Sequence, residues 1–201
     1  MERLGAAEAS LNRALSGIGF VVDHYLTLGD LILAGRERLD RFVMERDVKN
    51  RDGYRALLPV LCERVRAGVA ESSRNYEALM LAEHECRSAH QRVFEASLAR
   101  LQELLPAYCF KHRVNTNLVP RLVDLLDELS GIEARIQKAP AQPELICELE
   151  RIQQIVWMTP GQFRQQVDEA RQADHEANAA KQKLVEGHLW LVIMIARDYT
   201  C

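Results

Sequence analysis

Apolar residues recur every three or four positions along almost the whole chain, which is the spacing expected for α-helices that each bury one face. No stretch shows the strict alternation of apolar and polar residues that is typical of a half-buried β-strand. With 201 residues the chain is also long enough to bury a sizeable core. The pattern therefore predicts an all-α fold, built as an elongated multi-helix bundle.

Short polar, glycine-containing or proline-containing segments divide this pattern into six helical stretches. They cover about residues 4–15, 20–43, 54–105, 118–136, 145–156 and 160–199. The second and third stretches contain candidate interruptions. Gly29 and Gly35 are candidate bends in the second, and Gly68 or the polar run of residues 71–73 is the candidate break in the third.

Two helix starts carry recognisable capping signals. Asn115, Thr116 or Asn117 can cap the fourth stretch, because a short polar side chain accepts a hydrogen bond from a free backbone N–H of the first turn. Thr159 and Gln162 have the spacing of a capping box, in which each residue accepts from the backbone of the other. The proline between them suits the first helical position, where its missing N–H costs little. We therefore expect the last stretch to begin at Thr159.

Composition and charge narrow the classes of function. The chain has 26 basic and 29 acidic residues, a formal net charge of −3, and neither a basic tail nor a basic block. A free-standing binder of duplex DNA usually has a clustered basic surface, so autonomous DNA binding is disfavoured. The longest apolar run, residues 189–196, is far shorter than the ~20 residues that cross a bilayer, and no secretory signal follows Met1. Five cysteines without a C-x-x-C pair are typical of reduced thiols, so we expect a cytoplasmic protein without a membrane anchor.

Candidate catalytic chemistry is sparse. His84, Cys86 and His90 are the only grouped side chains of metal-binding type, and no second ligand pair at a standard spacing accompanies them. A solvated or partly buried helix face is the better interpretation of this group. The sequence contains no phosphate-binding loop, dinucleotide fingerprint or nucleophile elbow. We therefore expect no enzyme activity, no metal and no cofactor.

The last helical stretch changes character along its length. Residues 164–180 are polar with alanine spacers, whereas residues 184–199 are apolar on almost every face. A helix that is apolar all round is normally buried on all sides. We therefore predict that this part is buried, and that Trp157 and Trp190 are core residues.

Residues 179–199, AAKQKLVEGHLWLVIMIARDY, have a more specific order. They resemble the opening helix of region 2 in bacterial primary-type sigma factors of the sigma-70 family. The family has Asn and Arg on either side of a leucine where this chain has His188 and Trp190, and it has Ser and a second basic residue where this chain has Met194 and Asp198. The matching residues are Ala180, Lys181, Val185, Glu186, Leu189, Leu191, Val192, Ile193, Ile195, Ala196, Arg197 and Tyr199.

The resemblance implies two segments and a role in transcription initiation. Residues 1–138 look like the helical insert upstream of region 2. Residues 139–201 look like a capped helix leading into the first helix of region 2 (region 2.1), after which the chain is truncated. Such a fragment contributes, in the full-length factor, to binding of core RNA polymerase and to promoter recognition and opening, and it meets promoter DNA only within the holoenzyme. The candidate interface residues are Lys181, Glu186, His188, Leu189, Trp190, Val192, Arg197 and Tyr199.

The same helix also suits a helical protein–protein interaction module with no transcriptional role. In both interpretations its apolar side chains have to be buried against another protein surface. Where no partner supplies one, we expect self-association through the C-terminal helix.

Overall fold

The computed structural model of the chain describes residues 2–45, 50–139 and 142–198, and within these ranges it contains helices and no β-strand. The predicted all-α bundle is confirmed. A 3₁₀ turn at Leu105–Tyr108 follows α5 directly. The α-helices are α1 (Glu2–Ser16), α2 (Gly19–Leu33), α3 (Leu39–Phe42), α4 (Arg51–Leu81), α5 (Arg87–Leu104), α6 (His112–Thr116), α7 (Val119–Lys138), α8 (Pro143–Val156) and α9 (Pro160–Asp198).

Helix α1 packs antiparallel along the first half of α9. Near the start of α1, Arg3 lines the same groove as Lys183, and near its end Ala14 lines the same groove as Ala173. In the middle of α1, Glu8 Oε1 lies 3.9 Å from Lys181 Nζ. Both helices bury small or branched apolar residues every three or four positions, and alanine at such positions lets two helix axes approach closely. The buried apolar residues are Ala7, Leu11, Ala14 and Leu15 of α1 and Phe163, Val167, Ala170, Ala173 and Ala177 of α9.

Helices α4 and α5 form an antiparallel hairpin that turns at residues 82–86. The predicted break at Gly68, or at the polar run that contains Ser72, is wrong because α4 continues through both positions. A Cβ on Gly68 would lie 2.8 Å from Leu101 Cδ1, and the Ser72 hydroxyl donates to Ser97 Oγ at 3.3 Å. Small residues at these positions let α4 and α5 cross closely, so they serve helix packing and do not end the helix.

Helix α2 ends before Gly35, whereas the sequence predicted that it continues to about residue 43. Gly35 has a φ of 68°, and the backbone N–H groups of Gly35 and Arg36 donate to the carbonyls of Ile32 and Leu31 at 3.1 and 3.0 Å. This is a Schellman motif, in which a left-handed residue past the helix end satisfies the last carbonyls. Nothing lies within 4 Å of a Cβ placed on Gly35, so its backbone angle is what requires glycine.

Gly29 lies inside α2, at the point where α2, α4 and the 3₁₀ turn meet. A Cβ there would lie 2.8 Å from Cys62 Sγ and 3.0 Å from Tyr108 Cε1. Tyr108 is fully buried, and the Tyr54 hydroxyl donates to its carbonyl oxygen at 2.8 Å. Gly29 is therefore a position of close contact between three elements of the core.

The predicted caps after residue 114 are wrong. Asn115 and Thr116 lie within α6, Asn117 follows it, and α7 begins without a side-chain cap. The buried Asn115 side chain accepts a hydrogen bond from the Tyr25 hydroxyl and donates one to Asn12. The Asn115 side chain, which the local pattern predicted as a cap, is therefore hydrogen-bonded to residues that are distant in sequence.

The predicted capping box at the start of α9 is confirmed. The backbone N–H of Thr159 donates to Gln162 Oε1 at 3.0 Å, and the backbone N–H of Gln162 donates to Thr159 Oγ1 at 3.4 Å. Trp157, two residues earlier, is buried as predicted, and its left-handed φ of 57° ends α8. The corner between α8 and α9 is thus fixed by residues close together in sequence.

Within the described residues, an apolar core cluster extends from Leu11 in α1 to Ala173 in α9. Both of the segments inferred from sequence, 1–138 and 139–201, contribute to it. The functional division into these two segments stays a prediction. What the core fixes is the position of α9, whose first half is held against α1 and α7.

Candidate functional site

The segment that carries the resemblance lies at the end of α9 and extends beyond the bundle. Up to Ala177, α9 buries a residue on every turn against its neighbours. Beyond Leu184, every side chain that the structure describes on this helix is exposed. The change from buried to exposed therefore falls within a few residues of Ala180 and Lys181, where the resemblance begins.

We call residues 185–198 the α9 tip. The prediction that this segment is buried, and that Trp190 is a core residue, is wrong within this chain. Helix α1 lies along α9 as far as Lys183, which lines the same groove as Arg3, and the tip extends beyond this contact. The exposed large apolar side chains of the tip are Val185 (63%), Leu189 (58%), Trp190 (64%), Ile193 (59%), Met194 (41%) and Ile195 (49%).

These side chains form a continuous surface. Val185, Leu189 and Ile193 follow one another at four-residue intervals and share one face of the helix, and Trp190 and Met194 form a neighbouring row. An exposed apolar surface of this kind is typical of a site that another helix or another chain covers.

Two of the predicted polar site residues have partners on the helix surface. Lys181 Nζ lies 3.9 Å from Glu8 Oε1, with both side chains partly exposed. Glu186 Oε1 accepts a hydrogen bond from Gln182 Nε2 at 3.0 Å, one turn earlier on α9. Both contacts lie at the base of the tip and not at its far end.

The other predicted site residues are distributed along the tip. His188 and Arg197 are exposed. The side chain of Val192 and the whole of Tyr199 lie outside the described residues. The predicted interface residues therefore share one helix, and those whose side chains are described beyond Leu184 are open to solvent.

A charged cluster lies below the tip, where α1, α6 and α9 meet. His112 Nδ1 lies 4.0 Å from Glu8 Oε1, and His112 Nε2 lies 3.2 Å from Thr116 Oγ1. Burial lowers the pKa of His112, the positive charge of Lys181 lowers it further, and the carboxylates of Glu8 and Asp174 oppose this. Because its pKa lies below the ordinary value of 6.5, His112 is neutral at pH 7 and above.

The residues of this cluster share no local signal in the sequence. Glu8, His112 and Asp174 belong to three helices that are far apart along the chain. No local spacing relates them, and only the antiparallel packing of α1 on α9 makes them neighbours. The α9 tip, in contrast, carried a local signal in its unbroken apolar run.

The group of metal-binding type near residue 86 lies apart from the tip in sequence. His84 and Cys86 are exposed in the turn before α5, and Cys86 directly precedes its first residue. Within the described ranges, no group of three or more His, Cys, Asp or Glu side chains is arranged to hold a metal ion. Burial raises the pKa of the Cys62 thiol in the core, which keeps it protonated and weakly nucleophilic.

The remaining properties of the chain concern membrane spans and family membership. None of the helices, as far as the structure describes them, is both long and apolar enough to cross a membrane. No protein-family profile matches the chain. The resemblance described above therefore rests on the order of residues 179–199.

Proposed function

We propose that the chain is part of a bacterial sigma factor of the sigma-70 family, namely the part that precedes and enters region 2. In its full-length form such a factor binds core RNA polymerase in the cytoplasm and takes part in promoter recognition and opening. Residues 1–138 are then the helical insert, and residues 139–201 lead into the first helix of region 2. The role is one of binding and not of catalysis.

One observation carries this proposal: α9 leaves its own bundle at the position where the resemblance to region 2 begins. In the family, the corresponding helix packs within the region 2 bundle beside the polymerase clamp. A helix with that role needs apolar faces that the preceding segment leaves open, and Val185, Leu189 and Ile193 form such a face. Burying one such side chain fully is worth about 1.5–3 kcal/mol, so covering the tip would stabilise the assembly substantially.

The charge balance limits what the segment does with DNA. Residues 139–201 contain six basic and nine acidic residues. Phosphate neutralisation by basic side chains supplies much of the affinity of DNA-binding proteins. His188 and Trp190 also stand where the family has an amide and a basic residue. Contact with promoter DNA is therefore expected only when core RNA polymerase is bound.

A second candidate function is a helical protein–protein interaction module outside transcription. The exposure of Trp190 favours it, because tryptophan is enriched among the residues that dominate binding at protein interfaces. In this case the tip docks into an apolar groove of a partner, and the two candidates differ in what covers it.

Photo-crosslinking from the tip separates the two candidates. We would place p-benzoylphenylalanine at position 190 of the full-length protein in its own cells and identify the cross-linked chains by mass spectrometry. The sigma-factor proposal predicts cross-links to RNA polymerase or to later helices of the same factor. The matched control has the same group at Leu57, which is 52% exposed on α4, and should not give these products. Reproducible cross-linking of position 190 to an unrelated protein alone would contradict the sigma-factor proposal.

The gene gives an independent test. The proposal predicts that the reading frame, or a shifted frame, continues beyond Cys201 into an aromatic, basic, helix-rich segment that resembles the rest of region 2. An unrelated sequence at that place would favour the interaction module.

A further inference from the structure

A cleft lies where the segment after α2 meets the start of α4, and it has a volume of about 460 Å³. Its charged lining, within the described residues, consists of Glu37, Arg38, Asp40, Arg51 and Arg55. Apolar side chains complete it, and they are Ile32, Leu33, Leu39 and Leu58. The cleft therefore combines a rim rich in guanidinium groups with an apolar floor.

The fold holds one wall of this cleft in place. The Schellman motif at Gly35 turns the chain away from α2, so that the residues after it face the start of α4. Helix α3 is then tied to the segment before α6, because the Lys111 backbone N–H donates to the Phe42 carbonyl at 2.7 Å. The Lys111 ammonium donates to the Asp40 carbonyl, also at 2.7 Å. The wall that carries Arg38 is thus fixed at both ends.

The two carboxylates of the cleft are already engaged. Asp40 accepts hydrogen bonds from Arg38 Nε at 3.3 Å and from Arg38 Nη2 at 2.9 Å. Glu37 lies 3.6 Å from the guanidinium of Arg41. Their negative charges are therefore matched by arginines of the same short segment.

The arginines of the opposite wall are not matched in this way. Arg51 and Arg55 are exposed and lie one turn apart on the same face of α4. Neither is hydrogen-bonded to a carboxylate that the structure describes, although the pKa of Asp40 is lowered first by Arg38 and, to a smaller extent, by the charge of Arg51. The described lining has three arginines and two carboxylates, so the cleft has an excess of one positive charge, and two of its guanidinium groups come from one helix face.

We propose that this cleft binds the phosphate groups of a small organic phosphate such as a nucleotide. Guanidinium groups hold phosphate oxygens through paired, charge-assisted hydrogen bonds, and the apolar floor offers contact to the organic part. A volume of about 460 Å³ is in the ordinary range of small-molecule sites. A long nucleic acid fits less well, since the chain has a net charge of −3 and neither a basic tail nor a basic block. The proposal does not depend on the sigma-factor proposal.

Calorimetric titration of the whole chain with inorganic pyrophosphate, and separately with adenosine triphosphate, tests the site. Saturable binding is expected, and changing Arg51→Gln together with Arg55→Gln should weaken it at least about tenfold, which corresponds to about 1.4 kcal/mol. The control changes Arg64→Gln together with Arg74→Gln. These are exposed arginines of the same helix, the change in net charge is the same, and binding should not change. Tighter binding of the nucleotide than of pyrophosphate shows that the organic part is also held, and equal binding shows recognition of phosphate alone.

A measurement on the unchanged chain covers the case in which a variant fails to fold. Saturating pyrophosphate should protect Arg51 and Arg55 from modification by phenylglyoxal, while Arg64 stays reactive, as read by peptide mass spectrometry. Three results would overturn the proposal: no saturable binding of either anion, equal weakening by both double changes, or no selective protection of Arg51 and Arg55.

Discussion

Gly19, at the start of α2, lies against the backbone of α8. A Cβ at this position would lie 2.6 Å from the carbonyl oxygen of Ile155 and 2.7 Å from Cδ2 of the buried Trp157 ring. A backbone oxygen cannot rotate away, so alanine would push α2 and α8 apart. We expect Gly19→Ala to lower the free energy of unfolding by about 1–3 kcal/mol, measured by urea denaturation.

Gly131 provides the matched control for this substitution. It lies inside α7, and nothing is within 4 Å of a Cβ placed on it. Gly131→Ala should therefore raise the free energy of unfolding by up to ~1 kcal/mol, because alanine favours a helix more than glycine does. Gly19→Ala with the same stabilising effect would contradict the close contact with α8.

The lowered pKa of His112 predicts a loss of stability in mild acid. Burial is the main cause of the shift, followed by the charge of Lys181. As the pH falls through about 6.5, the unfolded chain takes up a proton before the folded chain does, so the free energy of unfolding decreases until the lower folded pKa is reached. Above this window the group has no effect. We expect His112→Gln to reduce the loss of stability between pH 7.5 and 5.5 in denaturation experiments, and identical losses would contradict the assignment.

A change at Lys181 tests the cause of that shift. Lys181→Gln removes the positive charge that lowers the pKa of His112, so an NMR titration of the His112 ring should give a higher pKa in this variant. A lower pKa, or none of the expected rise, would show that Lys181 does not act on the ring.

The residue scale also shows where sequence rules hold and where they fail. Thr159 and Gln162 were assigned correctly because each needs only the other, three positions away. Asn115 was assigned wrongly because its partners, Tyr25 and Asn12, come from helices about a hundred positions earlier. Whether a polar side chain caps a helix therefore depends on which distant residues compete for it.

At the scale of elements, α9 is one helix in two environments. Its period and its cap predicted the helix and its start. Its burial depends on how far the contacts with α1 and α7 extend along it, which no pattern within α9 contains. The location of the tip was therefore predictable from sequence, and its exposure was not.

The close packing of α1 on α9 predicts that the free energy of unfolding depends strongly on the size of the side chains at the buried alanine positions. Ala177 is fully buried on α9, while Ala179, two residues later, is exposed. We expect Ala177→Leu to lower the free energy of unfolding by about 1–3 kcal/mol, because the larger side chain overfills the contact between α9 and its neighbours. Ala179→Leu makes the same chemical change at an exposed position at the edge of the groove between α1 and α9, and it should lower stability by less than Ala177→Leu does. Equal effects in thermal or urea unfolding would contradict the packing of α1 on α9.

At the scale of the whole molecule, the fold class follows from a property that every segment shows by itself, its helical period. The arrangement of the helices does not follow from this period, because it depends on which apolar helix faces pack against each other. Glu8 contacts Lys181, although the two residues are separated by almost the whole described sequence. Gly68 packs against Leu101 within the hairpin of α4 and α5, whose turn lies later in the sequence than predicted. The candidate cleft has the same origin, since Arg38 and Arg51 become neighbours only through the turn at Gly35.

The exposed tip makes a prediction about the state of the whole chain in solution. Six large apolar side chains, each 41–64% exposed, extend from the bundle on one helix. Fully burying one of them is worth about 1.5–3 kcal/mol. In the absence of another partner, association with a second copy of the chain would therefore be favourable, because it buries these side chains. We expect the mass measured by light scattering to rise with concentration above the 22.9 kDa of one chain.

Changing Leu189→Glu together with Ile193→Glu should hold the chain as a monomer without lowering its melting temperature, because both side chains are exposed and one turn apart on the same face. The control is Leu57→Glu together with Val60→Glu, two exposed apolar residues of α4, which should leave the association unchanged. If the unchanged chain stays monomeric at high concentration and the change at 189 and 193 unfolds it, the tip must be packed inside the chain. That result would mean that the exposed surface on which both candidate functions depend does not exist. Neither a region 2 bundle nor another partner could then contact these side chains unless the helix first detached from the core of the chain.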